Sequence, residues 1–468
     1  MNDVTPASVF RHYALRGGAL LLGAALAGCV HLKPAPQPNL GGTTVPGAWK
    51  SEASSATVQD GWISGFGDPA LPRLVGEALT NNPDMAATAA RLGEAIASAK
   101  EARADLAPSL AAAANATKTS YLSHSGNADS FTFGPSLDLS WEADVWGRLR
   151  YTARSSAETA AARADDYVYG RRSLAAQVAK AWFAAVDGRV QVNLDRETVV
   201  SYEKTVELVQ VRFSSGSIAE QDLASVRADL ASARKALESD ETAFKESVRS
   251  LELLLGRYPG AELEVIDTIQ AVPPAVPAGL PSDLLSRRAD VRAAQRSVAA
   301  AFNTTQAAVA ARLPQFSLSA GLSTTSDEFK NLFDPKNAAL TLAGNLSAPL
   351  YQGGKLKAAV ALAKAQQREA EATYRSTVLT AFEEVENYLA ADRSLAVQER
   401  DLSEALEQYN KALSIAEQRY TLGDIDLTDL LTIKRQQIAA RSSLASLRAS
   451  RLTQRVNLHL ALGGNFES

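Results

Sequence analysis

Cysteine is nearly absent: the 468-residue chain has one, Cys29, which excludes internal disulfides and clusters of thiolate metal ligands. Histidine is almost as scarce, with only His12, His31, His124 and His459. None of them stands near a Ser or Cys nucleophile motif, a metal-ligand spacing or a glycine-rich phosphate loop, so neither an enzyme, a metal site nor a bound cofactor is expected. Such isolated histidines are expected to be solvated. The acids Glu383, Glu384 and Glu386 read as the wet face of a long helix. There is also no charge of one prevailing sign, since 48 Lys and Arg face 52 Asp and Glu for a formal charge of −4. That balance gives no surface for nucleic acid and no polybasic membrane patch.

The N-terminus carries an ordered signal. Arg11 and Arg16 precede an apolar run from Ala19 to Ala27 that ends in Leu26-Ala27-Gly28-Cys29. The run is about ten residues, against the roughly 20 of a membrane-spanning helix, so it reads as a removable secretory signal over residues 1–28. The segment resembles a bacterial lipoprotein signal, which implies a covalent lipid on Cys29. Val30 in place of Asp implies the outer membrane. The alternative is a free thiol beside an ordinary cleavage site. Acyl chains would add about 0.8 kcal/mol of membrane affinity per buried methylene. Residues 29–70 then form a lipid-anchored linker.

Compared with itself at an offset of about 207 residues, the chain is a duplication, too long in period for a solenoid. Asn82-Pro83-Asp84-Met85 matches Arg288-Ala289-Asp290-Val291, Gly147-Arg148-Leu149 matches Gly354-Lys355-Leu356, and Arg212-Phe213 matches Arg419-Tyr420. Gly216 pairs with Gly423 and Leu255-Gly256 with Leu462-Gly463. The repeats span 71–258 and 283–468. Between them, 259–282 holds Pro273-Pro274 and Pro277, and proline's fixed φ and missing donor predict an extended strap.

Within each repeat the period switches. Phe131, Phe133, Leu137, Leu139 and Trp141 alternate with small or polar residues, as do Phe316, Leu318, Ala320 and Leu322, and then Leu340, Leu342, Leu346, Ala348 and Leu350. Runs of about ten residues with one apolar and one polar face suit a transmembrane barrel or, equally, a soluble sheet on a core. Ser109 to Tyr121 is a weaker, Ala-rich strand. His124 to Ser130 and Ser326 to Asn337 are expected as connecting loops.

From about Tyr151 to Phe213 there is no proline, and Ala157, Ala164, Val178, Ala185, Val192, Val199, Val206 and Phe213 recur at sevens, interrupted by Arg171. Ala381, Tyr388, Leu395, Leu402, Tyr409 and Ala416 repeat the spacing. Sustained heptads predict coiled-coil packing. At about 1.5 Å per residue such a helix extends close to 100 Å, so it must project into water. Return helices are expected over Ser217 to Leu255 and Asp424 to Leu462, after turns at Gly216 and Gly423.

Asn81-Asn82-Pro83-Asp84, Arg419-Tyr420-Thr421-Leu422-Gly423, Gly279-Leu280-Pro281-Ser282-Asp283-Leu284-Leu285 with Arg287-Arg288, and Ala348-Pro349-Leu350-Tyr351-Gln352-Gly353-Gly354 carry a resemblance to the outer-membrane factor family, of the TolC and OprM type, and to its NodT-like lipoprotein branch. It covers nearly all of the mature chain and departs at Ala289, where the family has proline, and at Gly61-Trp62. The fold it implies is mainly α with transmembrane β: a homotrimer whose twelve-stranded β-barrel continues as a long α-helical coiled-coil barrel in the periplasm, with two structural repeats per chain. The function it implies is the passive exit duct of a tripartite efflux or export system, partnered by a periplasmic adaptor, an inner-membrane pump of RND type and outer-membrane lipid. A periplasmic coiled-coil scaffold lipoprotein without a pore is the competing reading, and it leaves the strands unexplained.

By the same resemblance the turns lie at the periplasmic tip, where the pore narrows. Asp222 and Asp429 stand six residues beyond the two glycines, and a trimer would set six such carboxylates around the axis. Asp426 and Thr432 are secondary gate candidates, Asp426 doubling as a helix cap. The bland alternative is that acids early in a helix complement its dipole. Arg212, Gly216, Arg419, Leu422 and Gly423 are candidate adaptor contacts, or ordinary coil-surface residues.

Overall fold

The computed structural model describes residues 32–42, 44–51, 56, 58, 60–121 and 128–466. The expected signal, Cys29, His31, His124 and most of the His124 loop lie outside the described residues. The first repeat runs α1 (Ala70–Asn81), α2 (Pro83–Ala104), β1 (Ser109–Tyr121), β2 (Ala128–Ala143), α3 (Arg148–Ser214) and α4 (Glu220–Leu254). The second runs α5 (Pro281–Arg287), α6 (Ala289–Ala310), β3 (Gln315–Thr324), β4 (Ala338–Ser347), α7 (Lys355–Leu422) and α8 (Leu427–Ala461). The duplication is closest in the longer helices: α2 and α6 have 22 residues each, α3 and α7 have 67 and 68, and α4 and α8 have 35 each.

The chain divides into two compact units, one of residues 32–39, 92–163 and 293–375, the other of 40–91, 164–292 and 376–466. The first contains one four-stranded antiparallel sheet in the order β1-β2-β3-β4. Register sorts its faces. Leu110, Leu139, Ala320 and Leu342 lie across from one another strand by strand, as do Ala112, Leu137, Leu322 and Leu340. The alternate rows read Ala111, Asp138, Gly321 and Thr341, then Ala113, Ser136, Ser323 and Ala339. One face is therefore apolar and the other small and polar. All ten residues of β4 are exposed, and Leu342 keeps 74% of its surface. The Ala-rich first strand pairs along its whole length with β2. β2 begins at Ala128, inside the expected loop, and β4 stops before Ala348-Pro349. The other loop holds two 3-10 turns, Phe329–Asn331 and Pro335–Asn337.

Strand passes to helix through polar clamps. Asp144 Oδ1 and Oδ2 accept from the amides of Leu149 (3.0 Å) and Arg150 (2.9 Å), satisfying free donors at the start of α3. Arg148 pairs with Glu142 at 2.7 Å. Ser155 Oγ lies 2.8 Å from Thr304 Oγ1, and Thr305 Oγ1 donates to Ala363 O at 3.1 Å, so hydroxyls on α3 and α6 cross-link the helices next to the sheet.

In the second unit the heptad positions Val178, Ala185 and Val192 are almost wholly buried. The main core joins Trp182 and Phe183 of α3 to Leu71 and Leu74 of α1, Leu251 of α4, and Leu452 and Val456 of α8. Residues expected as a linker belong to it: Trp62 and Phe66 are buried, and Asp68 accepts from Trp182 Nε1 at 2.7 Å, while Trp49 is buried separately against Phe382 and donates to the carbonyls of Ala278 and Gly279. Their aromatic surface is what ties the segment down. The connector has no regular structure from 259 to 280, and Pro281 opens α5, where a missing N–H costs nothing. Glu252 fixes its start by accepting from the amides of Ala261, Glu262 and Leu263 at 2.7, 2.7 and 3.0 Å.

Three further expectations are corrected in this unit. Glu384 and Glu386 are anchors and not a wet face: Glu384 pairs with buried Arg288, which also pairs with Asp290, and Glu386 accepts from the amides of Lys50 (2.7 Å) and Ser51 (2.9 Å). Burial opposes the Arg288 charge, but the hydrogen bonds and charges of Asp290 and Glu384 outweigh it and hold the guanidinium above its ordinary range. His459 is not solvated, since its ring stacks on Trp62 at 5.5 Å and 12°.

Candidate gate at the helical turns

Both turns are built by the same backbone device. Gly216 N donates to Phe213 O (2.9 Å) and Ser217 N to Arg212 O (2.9 Å); Gly423 N donates to Tyr420 O (3.1 Å) and Asp424 N to Arg419 O (2.9 Å). With φ of 73° and 80°, the two glycines close paired Schellman motifs that satisfy the last carbonyls of α3 and α7. Asp222 and Asp429 consequently occupy the third position of α4 and of α8. Asp429 is exposed and Asp222 half-buried. Asp222 Oδ2 accepts from Ala219 N at 3.3 Å, one arm of a capping box, because alanine cannot supply the other.

Asp426 stands at the N-cap of α8 but makes no side-chain cap bond and is exposed. Thr432 is an exposed hydroxyl that donates back to Thr428 O at 2.7 Å. Leu422 and Arg419 are exposed, whereas Arg212 turns inward: its guanidinium donates to Tyr420 O (3.2 Å) and lies 4.3 Å from the Tyr420 ring centre. Arg212 therefore holds the two turns together, a role the repeated Arg-aromatic pair in the sequence hinted at without saying which arginine crosses.

Beneath the turns Leu223, Val226, Tyr420, Leu427, Leu430 and Leu431 form one core. Lys434, which the sequence did not single out, lies buried under it, donating to Ser201 O (3.2 Å) and Thr205 Oγ1 (2.9 Å) over the Tyr202 ring. Burial pushes its ammonium down, and burial followed by the Asp229 charge pushes the Tyr202 phenol up to about 12. Among the described residues no cluster of His, Cys, Asp and Glu could hold a metal ion. The turns thus present exposed acids over an apolar core, an arrangement that can bind cations or repel its own copies.

Among the described residues no helix is long and apolar enough to cross a membrane. A two-faced sheet with open edges and two pairs of long helices are the elements of an outer-membrane channel protomer. The family described as outer membrane efflux protein matches residues 74–257 and 280–464. The pyoverdine export outer membrane protein OpmQ of Pseudomonas aeruginosa is 33% identical, with 98% of each chain covered. The probable outer membrane lipoprotein SilC of Salmonella typhimurium is 28% identical over 94% of this chain and 96% of its own. The solved outer-membrane channel OprN superposes with a TM-score of 0.86 at 25% identity, covering 94% of this chain and all of that one. The chain belongs to the outer membrane efflux protein family. It resides in the outer membrane as the channel of an efflux or export system.

Proposed function

We propose that three copies close a twelve-stranded barrel and form the passive exit duct of a tripartite system, with a periplasmic adaptor and an RND-type inner-membrane pump. The carrying observation is the sheet: β1 and β4 have free edges, and lipid does not tolerate unpaired backbone. Three four-stranded shares supply the closure. The apolar rows through Leu139 and Leu342 then face lipid, and the rows through Asp138 and Thr341 face water. A covalent lipid on Cys29 anchors the chain. The export of small molecules fits best, in keeping with the pyoverdine-exporting relative. At the tip, the Asp222 and Asp429 carboxylates of three copies form a ring that favours cations and opens or tightens with its charge.

Single-channel conductance in planar bilayers tests this, comparing the unsubstituted protein with Asp222→Ala/Asp429→Ala. A small cation-selective conductance that rises on substitution is expected. Conductance that is unchanged by the substitution would move the gate elsewhere. No conductance from verified trimers of either form would sink the duct.

A further inference from the structure

In the first unit an open groove of about 530 Å³ runs between the end of α2 and the start of α3, within the range of about 300–1,000 Å³ of small-ligand sites. Its floor is apolar, with Ile96, Leu106 and Ala157. Leu32 also lines it, next to Lys33, whose N donates to the Tyr151 hydroxyl at 2.9 Å. Lys100, Arg103, Arg150 and Arg154 line it, and no acid does among the described residues. Arg150 is engaged with Asp144 at 3.0 Å. The other three are exposed, and none forms an ion pair among the described residues.

The groove adjoins the sheet. Trp141 Nε1 donates to Leu106 O at 3.0 Å, and β1 starts at Ser109. Tryptophan at the ends of membrane strands marks the headgroup level, so the groove lies where lipid headgroups meet water. Long basic side chains over an apolar floor match a phosphate attached to acyl chains. We propose that this groove binds an anionic phospholipid of the inner leaflet, its phosphate held by Lys100, Arg103 and Arg154 and an acyl chain laid on Ile96 and Leu106. Cys29 precedes Leu32 by three residues in the sequence, so its own lipid is the competing occupant, but an acylated cysteine is neutral and leaves three cations unanswered. The site rests on the membrane-spanning sheet of the proposed channel and not on the gate, so lipid binding and the response of conductance to the tip substitutions can fail separately.

Native mass spectrometry of the detergent-solubilised protein, titrated with phosphatidylglycerol and with phosphatidylethanolamine, reads this directly. Phosphatidylglycerol should bind more tightly, and Lys100→Gln/Arg103→Gln/Arg154→Gln should weaken it by about tenfold or more. Ile96→Trp, which fills the floor and leaves the charge, should weaken it too, and it carries the test if the triple variant does not fold. Undiminished binding in the folded variants overturns the proposal. Binding that emerges only in Cys29→Ser would give the groove to the chain's own anchor, and equal competition by inorganic phosphate would give it to free phosphate; either outcome also overturns it.

Discussion

At His459, burial and then the neighbouring Arg455 charge push the imidazole down to about 4. Its Nδ1 is buried with no hydrogen-bond partner among the described residues, so a proton there would find nothing to bind. Between about pH 6.5 and 4 the unfolded chain takes up a proton that the folded ring refuses, so stability falls as pH drops through that window and levels off below it. The loss is on the order of 3 kcal/mol. His459→Phe should flatten that slope in denaturant titrations, and an unchanged slope would show the ring to be solvated after all. Gly256 is a second sensitive residue, because at φ 73° a Cβ would sit 2.5 Å from Asn81 O. Gly216 has the same φ and open space around it. Gly256→Ala should therefore cost about 3 kcal/mol or more and Gly216→Ala only about 1–2 kcal/mol, measured by thermal unfolding. Equal losses would mean that the packing against Asn81 is immaterial.

Between elements, Arg288 fastens the α5–α6 junction to α7 through Glu384 and to the end of α8 through Ala461 O. Arg288→Ala would strand Asp290 and Glu384, at a cost of about 3–5 kcal/mol. Glu383→Ala, one position away and exposed, should stay within about 0.5 kcal/mol. Chemical denaturation of the two variants checks the contrast, which fails if both behave alike. The elements themselves were legible, since strands announce themselves by alternation and coiled coils by sevens. Even the helix turns followed, from glycines repeated 207 residues apart as at 216 and 423. The segment ahead of α1 was not legible. Trp49, Trp62 and Phe66 have no period of their own; the place of Trp62 and Phe66 depends on surfaces contributed by α1, α3 and α8, and that of Trp49 on Phe382 of α7 and the connector carbonyls. The acids of α7 misled for the same reason, because their partners, Arg288 and the Lys50 and Ser51 amides, come from distant parts of the chain.

At the scale of the whole molecule, the sheet's two faces must meet two solvents. Leu342→Lys puts a charge on the apolar face and should weaken trimer assembly by about 2–4 kcal/mol if it lies near the bilayer midplane. Thr341→Lys, on the polar face, should assemble normally. Heat-resistant trimer recovered after refolding into detergent distinguishes them, and equal yields would contradict the assignment of faces. Composition, period and duplication determined by themselves the repeats, the strands, the long helices and the glycine turns between them. These are local in origin, since alternation, heptads and glycine turns are written in residues that neighbour one another. Only the tertiary structure decided which arginine crosses at the tip, that His459 is packed on Trp62, that the N-terminal strap belongs to the core, and that three unpaired cations overlie one apolar groove. Each of those depends on residues brought together from separate parts of the chain, and no periodicity encodes such meetings.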